Sequence, residues 1–311
     1  MLELPPPRLL SDWVRIRVTV SGVSFTDIDQ RRGSWRTWID GAEPIVPGRE
    51  VAGVIESVGE AVRDLRVGQR VCAICPRGGY GELVTVPHQC VLPLPDEITD
   101  IVGGTFLLNG LVAWHLLHTV ANVQGGEIIL VHAAAGGVGV MLSQLAKRCG
   151  VTVIGTVGSD AKAETASLYG ADHVVNYERC ADWSAKVLLD LTGGSGVDVV
   201  FDGVGAKTAQ GSILATHRLG QVVFFGSSSG QPRVSFPDLR TKSLRVSAFE
   251  LFHMLERKQE WNRAITELAS LVKRGLLEPF VTETYSWNEA AVAHKRIEAR
   301  ATRGKTALIH G

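Results

Sequence analysis

The sequence predicts an α/β chain in which a doubly wound parallel sheet follows a β-rich segment. Three observations predict it. An apolar strand, Ile128–Val131, runs straight into a glycine-rich turn, Ala134–Val138, and then into a helix, Gly139–Arg148. From Leu108 onward, strand-like and helix-like patterns alternate. Before Leu108 the chain reads instead as short strands separated by glycine turns.

The early strands are Trp13–Val20, Glu50–Val58, Arg70–Ala73 and Gly81–Val86, whose spacing and alternation suggest a compact, barrel-like β domain. A helix over Leu108–Thr119 leads to the strand at Ile128, and a second strand follows at Thr152–Thr156. Helix Asp160–Tyr169, strand His173–Asn176, helix Trp183–Leu191, strand Val197–Asp202, helix Thr208–Ala215 and strand Gln221–Phe225 continue the pattern of a parallel sheet with helices on both faces. Leu244–Phe249 alternates as a further strand, Trp261–Gly275 is amphipathic, and helix Ala290–Ala299 precedes a closing strand, Lys305–His310.

The glycine turn carries chemistry. Read as A-x-G-x-x-G, it puts Ala134, Gly136 and Gly139 where side chains must be small. The first permits a tight turn, the second lets backbone approach a pyrophosphate, and the third lets helix pack on strand. The anion then meets free N–H groups at a helix N-terminus. A packed structural turn can look the same, but strand, turn, helix and second strand arrive here in order.

Composition narrows the partners. With 32 basic and 32 acidic residues in 311, no electrostatic footprint for nucleic acid or an anionic membrane is visible, and small-molecule chemistry is the expectation. The opening MLELPPPRLL lacks a basic segment followed by an apolar core, and no apolar run reads as long enough to span a bilayer, so a cytoplasmic protein is expected. Five irregularly spaced cysteines do not suggest a secreted disulfide framework. Cys72 and Cys75 form a C-x-x-C, but only Cys90 lies nearby as a further ligand, so reduced, structural thiols are expected.

Eight stretches, in order along nearly the whole chain, carry a family resemblance: GVSFTDIDQRRG (22–33), PGREVAGVIESVG (47–59), VGQRV (67–71), VHAAAGGVGV (131–140), GADHVVNY (170–177), VDVVFDGVG (197–205), FGSSSG (225–230) and ARATRGKTALI (299–309). The chain resembles the zinc-independent quinone oxidoreductase branch of the medium-chain dehydrogenase/reductase superfamily, and is also similar to the enoylreductase domains of polyketide synthases. The resemblance implies a Rossmann nucleotide-binding domain, 108–249, inserted in a GroES-like catalytic domain built from 1–107 and 250–311. It also implies a homodimer in which Leu244–Phe249 pairs edge to edge with its partner, although the same alternation fits a simple core edge strand.

Residue types speak to the metal. Zinc-dependent relatives place a cysteine just before T-D and a histidine in G-H-E, where this chain has Ser24 and Arg49. A hydroxyl and a permanently cationic guanidinium do not replace thiolate and imidazole. No metal is expected, and reduction of a quinone or an activated double bond is favoured over alcohol oxidation.

The cofactor expectation is NADPH. The second strand of the nucleotide sheet ends GTVGS, without the carboxylate that usually reads the ribose 2′-hydroxyl of NADH, although Asp160 stands close by. Lys162, Tyr177 and Arg300 match the family's 2′-phosphate partners. Taken singly, they also read as a solvated lysine, a strand-end core residue and a solvated arginine. The resemblance extends cofactor contact to Asn109, Ala135, Gly136, Gly137, Val138, Ser159, Phe225, Gly226 and Ser227. His132 reads as a positioned structural residue rather than a base.

Ser24, Asp29 and Trp35 are the candidate catalytic or acceptor-bordering residues, Ser24 as a donor to a carbonyl oxygen and Trp35 by stacking on a flat acceptor. The plain alternatives are a turn cap and a loop aromatic. Family members commonly have asparagine at Ser24, in some cases tyrosine at Asp29, and often threonine at Val112. The expected activity is hydride transfer from NADPH to a quinone or an α,β-unsaturated carbonyl. A trans-acting enoyl-thioester reductase and a non-catalytic NADPH-binding protein are the alternatives.

Overall fold

The computed structural model describes residues 3–34 and 45–311. The chain divides into two compact units, Met1–Asn109 with Ile265–Gly311, and Gly110–Ala264.

The first unit is organised by a seven-stranded sheet. Its strands are β1 (Trp13–Val23), β2 (Glu50–Val58), β3 (Arg70–Ile74), β4 (Leu83–Pro87) and β5 (Val91–Pro93), with β12 (Val281–Ser286) and β13 (Lys305–Ile309) from the far end of the chain. The order is β12-β13-β1-β2-β3-β5, and β4 also pairs with β1. Both ends of the sequence therefore build one sheet: Val20 of β1 lies opposite Ile309 of β13. Alternation explains the central strand, since Val14, Ile16, Val18 and Val20 are buried while Arg15 and Arg17 turn outward to share Glu56. Helices α1 (Phe25–Arg32) and α9 (Ala290–Glu298) also belong to this unit.

Helix α2 (Asp100–His115) continues through a π-type turn at Leu116–Val120. Contrary to the expectation that no apolar run could span a bilayer, Asp100–Val120 is long and apolar enough by length and composition, but 78% of its most apolar stretch is buried inside the fold. A helix that is apolar all round belongs in a core.

The second unit holds six parallel strands in the order β11-β10-β9-β6-β7-β8. They are β6 (Ile128–His132), β7 (Thr152–Val157), β8 (His173–Asn176), β9 (Val197–Asp202), β10 (Thr216–Phe224) and β11 (Arg245–Ala248). Helices α3 (Gly137–Arg148), α4 (Asp160–Leu168), α5 (Trp183–Ala185), α6 (Ala209–Ala215) and α7 (Phe236–Lys242) connect them, and α8 (Lys258–Lys273) runs across the division between the units. Buried Leu130, Ile154, Val200 and Val222 form near-continuous apolar strands, as a sheet covered on both faces requires.

Some elements depart from the sequence pattern. The helix after the glycine turn starts at Gly137, two residues early, because the Gly136 carbonyl already accepts the Val140 N–H at 2.9 Å. Helix α1 carries no apolar stripe that a periodicity reading could find, since it buries Asp27 and Gln30 beside Ile28. Strand β12 alternates between half-buried and exposed residues, too weak a signal to stand out in sequence.

Candidate functional site

In the second unit the strand order reverses between β6 and β9, and ligands of such sheets bind beyond the carboxyl ends of the strands at that point. From β6, Ala133 takes a left-handed conformation (φ 53°) and Gly136 caps α3. A Cβ on Gly139 would come within 2.5 Å of the Ala133 carbonyl oxygen and 2.7 Å of the Ala134 Cα, so helix and turn touch through glycine alone. Gly136, Gly137 and Val138 stay half-buried, and the first-turn N–H groups of a helix have no partner within it. A turn of this kind can cradle an anion.

From β9, the buried Asp202 folds the facing loop. Its Oδ1 accepts the N–H groups of Val204 and Gly205 at 2.8 and 2.9 Å and the Thr208 hydroxyl at 2.8 Å. Its Oδ2 accepts the Ser212 hydroxyl at 2.9 Å. Gly205 (φ 87°) leaves no room for a side chain: a Cβ would lie 2.4 Å from the Gly230 carbonyl oxygen. The loop after β10 is thereby packed on the loop after β9, and it carries Phe225, Gly226 and Ser227.

His132 closes the β6 end as a structural residue. It is buried, with Nδ1 2.7 Å from Thr156 Oγ1 and Nε2 3.0 Å from Ser212 Oγ. Burial holds its pKa below the ordinary histidine value, against the opposing pull of Asp202 4.0 Å away.

At the end of β7, Ser159 caps α4 by accepting the Lys162 N–H at 3.3 Å. Tyr177 lies against the same strand end, since a Cβ on Gly158 would meet its hydroxyl at 2.6 Å. Ser159, Lys162 and Tyr177 thus share one corner of the sheet. Asp160 is in that corner too, but its Oδ1 accepts the Asn176 amide at 2.9 Å and its Oδ2 accepts the Arg179 guanidinium. Arg300 lies in the first unit, exposed, after α9, with φ 56°.

In the first unit Ser24 is the N-cap of α1, and its backbone N–H donates to Asp27 Oδ2 at 2.7 Å. Ser24 and Asp27 form a capping box, in which the Ser24 side chain faces the Asp27 backbone N–H and the Asp27 carboxylate accepts the Ser24 N–H. Asp29 is half-buried and accepts from the Ser34 hydroxyl at 3.3 Å; burial raises its pKa. Trp35 lies outside the described residues. Asn109 is buried, and among the described residues its Nδ2 has no hydrogen-bond partner.

Sequence reasoning missed the polar network beneath α1. Asp27 Oδ2 accepts the Tyr80 hydroxyl at 3.1 Å, and Tyr80 in turn lies 2.9 Å from His294 Nε2. Arg31, which can only donate, reaches His294 Nδ1 at 3.2 Å, so Nε2 carries the ring proton. Nearby, the buried Glu50 pairs with Lys305 at 3.0 Å and accepts the Leu108 N–H at 2.8 Å, tying β2 to β13 and α2. Burial pushes both the Asp27 and Glu50 carboxyls up. The S-x-x-D spacing of Ser24 and Asp27 was the one signal of this network available in sequence.

Cys72, Cys75 and Cys90 are buried and free, with burial pushing the Cys90 thiol up to about 12. Among the described residues, no group of three or more His, Cys, Asp or Glu is arranged to hold a metal ion.

A GroES-like sheet and a parallel sheet with a glycine turn at its switch point define a two-domain nucleotide-dependent oxidoreductase fold. Comparison with known proteins agrees. Residues 11–96 match the family model "Alcohol dehydrogenase GroES-like domain", and residues 137–270 match "Zinc-binding dehydrogenase". A 2-haloacrylate reductase from Burkholderia sp. is 37% identical over 302 residues, 95% of this chain and 90% of the relative. A quinone oxidoreductase from Pseudomonas aeruginosa is 35% identical, again over 95% of this chain and 90% of the relative. The crystal structure of Escherichia coli quinone oxidoreductase complexed with NADPH superposes with a TM-score of 0.92 at 33% identity, covering 99% of this chain and 94% of that one. The chain belongs to the quinone oxidoreductase branch of the medium-chain dehydrogenase/reductase superfamily.

Proposed function

We propose that this protein is an NADPH-dependent reductase whose acceptor is a quinone or the activated double bond of an α,β-unsaturated carbonyl. The observation that carries the reading is the glycine turn Gly136–Val138 at the switch point, together with the pairing of the Asp160 carboxylate at the end of the neighbouring strand. The residues fit the cofactor: small residues leave the backbone N–H groups of the turn approachable, and the buried Asn109 Nδ2 lacks an acceptor among the described residues.

In this reading the following residues hold the dinucleotide. Ala135–Val138 take the pyrophosphate, Ser159, Lys162 and Tyr177 the 2′-phosphate with Arg300, and Phe225–Ser227 with Asn109 the nicotinamide end. When bound, NADPH supplies the hydride. The first unit supplies the acceptor side. Ser24, at the N-cap of α1, donates to the acceptor oxygen as charge develops there, while Asp29 and Trp35 border the acceptor. The Asp27–Tyr80–His294 network fixes α1 and so sets where Ser24 lies. The relatives named for 2-haloacrylate and quinones point to an electron-poor, conjugated small molecule. The reading also takes the protein as a cytoplasmic homodimer.

The test is NADPH consumption over a panel of quinones, enals, enones, 2-haloacrylates and enoyl thioesters, with and without chelator. Turnover of a quinone or enone that survives chelation is expected. Turnover of enoyl thioesters alone would move the substrate to a carrier-bound class, and NADPH binding without any turnover would refute an enzymatic role.

A further inference from the structure

We infer that Arg179 and Asn176 are specificity-determining residues that set the choice of NADPH over NADH by engaging the carboxylate of Asp160; this rests on the NADPH reading above. Asp160 occupies the first turn of α4, one residue after the cap and two before Lys162. A carboxylate at this end of the second strand is what reads a ribose 2′-hydroxyl, and it repels a 2′-phosphate. In this chain each of its oxygens already accepts a hydrogen bond, from Asn176 Nδ2 at 2.9 Å and from the Arg179 guanidinium.

The two donors are built in. Asn176 ends β8, and its own Oδ1 accepts the Glu178 N–H at 3.1 Å, which orients the amide with Nδ2 toward Asp160. The Asn176 carbonyl then accepts the N–H groups of Arg179 and Cys180 at 3.1 and 3.0 Å, closing the turn that carries Arg179. As a stabilising contact the ion pair is worth little, because the Arg179 and Asp160 side chains are 74% and 54% exposed. Its consequence is local. The guanidinium cancels a negative charge where a phosphate dianion is to be bound, and the two donors compete with a ribose hydroxyl for the same lone pairs.

A double-mutant cycle tests this with the adenosine halves of the cofactors, 2′,5′-ADP and 5′-AMP, titrated calorimetrically so that no turnover is involved. Arg179→Ala should weaken 2′,5′-ADP binding about three- to tenfold at low salt and leave 5′-AMP unchanged or slightly tighter. In an Asp160→Asn background the same Arg179→Ala change should have no effect, because no carboxylate remains to be released. About 1 M salt should erase the single-variant loss. Thermal melts of all four proteins should coincide, as expected for exposed side chains.

A loss that persists undiminished in the Asp160→Asn background would overturn the inference, since Arg179 would then act on the phosphate itself. An Arg179→Ala protein indistinguishable from wild type would overturn it equally. If wild type binds 5′-AMP as tightly as 2′,5′-ADP, the NADPH reading falls with it; a wild type that prefers 2′,5′-ADP but shows no coupling overturns this inference alone.

Discussion

Replacing Asp202 probes the loop that faces the glycine turn. Four donors converge on this buried carboxylate, but they are not equally dependent on it. In Asp202→Ala the Thr208 hydroxyl can still reach the Gly205 carbonyl at 3.1 Å, and the Ser212 hydroxyl the Thr208 carbonyl at 3.0 Å. Among the described residues, the N–H groups of Val204 and Gly205 have no such second acceptor. Stranding two backbone donors at about 1–3 kcal/mol each, with some cavity cost, gives a loss of about 3–5 kcal/mol. Asp202→Asn keeps Oδ1 for those same amides, and its new NH2 can donate to Ser212, so about 1 kcal/mol is expected. Urea unfolding followed by tryptophan fluorescence reads both values, and NADPH titration should show weaker binding for the alanine variant, because the loop bearing Ser227 rests on Gly205. Equal losses for alanine and asparagine, or an alanine variant within about 1 kcal/mol of wild type, would refute the assignment of the cost to the two amides.

Lys162→Ala should raise KM for NADPH roughly ten- to a hundredfold with kcat nearly unchanged, while NADH kinetics hardly move, since a phosphate contact remote from the hydride acts alike in ground and transition states; equal losses with both cofactors would assign Lys162 to the fold. His115 and His294 are buried, and burial holds each at about 4. The folded state keeps them neutral while the unfolded chain takes up protons below about 6.5, so each contributes stability that is complete above that pH and is lost as pH falls toward 4, by roughly 3 kcal/mol at most. Asp27 and Glu50, raised by burial, act in the opposite sense, so the clean measurement is the difference between wild type and His294→Asn, whose stability should fall less steeply between pH 6.5 and 4; parallel pH profiles would refute it. Finally, light scattering at micromolar concentration should give twice the 33.5 kDa chain mass, and a monomer would remove the proposed edge pairing of β11.

Much of this molecule is legible in the sequence because its signals are local. The strand, turn and helix at Ile128–Arg148 announce themselves through residue size, since a Cβ at Gly139 would collide with backbone only a few positions away. The alternation of Val14, Ile16, Val18 and Val20 declares a half-buried strand for the same reason. Substitution of Ser24 and Arg49 at ligand positions speaks to metal chemistry through donor type alone. What tertiary structure decided is every relation between distant residues. Asp160 reads in sequence as a rival to Lys162, and only the pairing of β7 with β8 brings Asn176 and Arg179 onto it. The Asp27–Tyr80–His294 network joins positions up to 267 residues apart, and no periodicity encodes such a contact. Buried polar groups need partners because desolvation is costly, yet which partner each one finds is fixed by chain packing, so that part of the site became visible only in three dimensions.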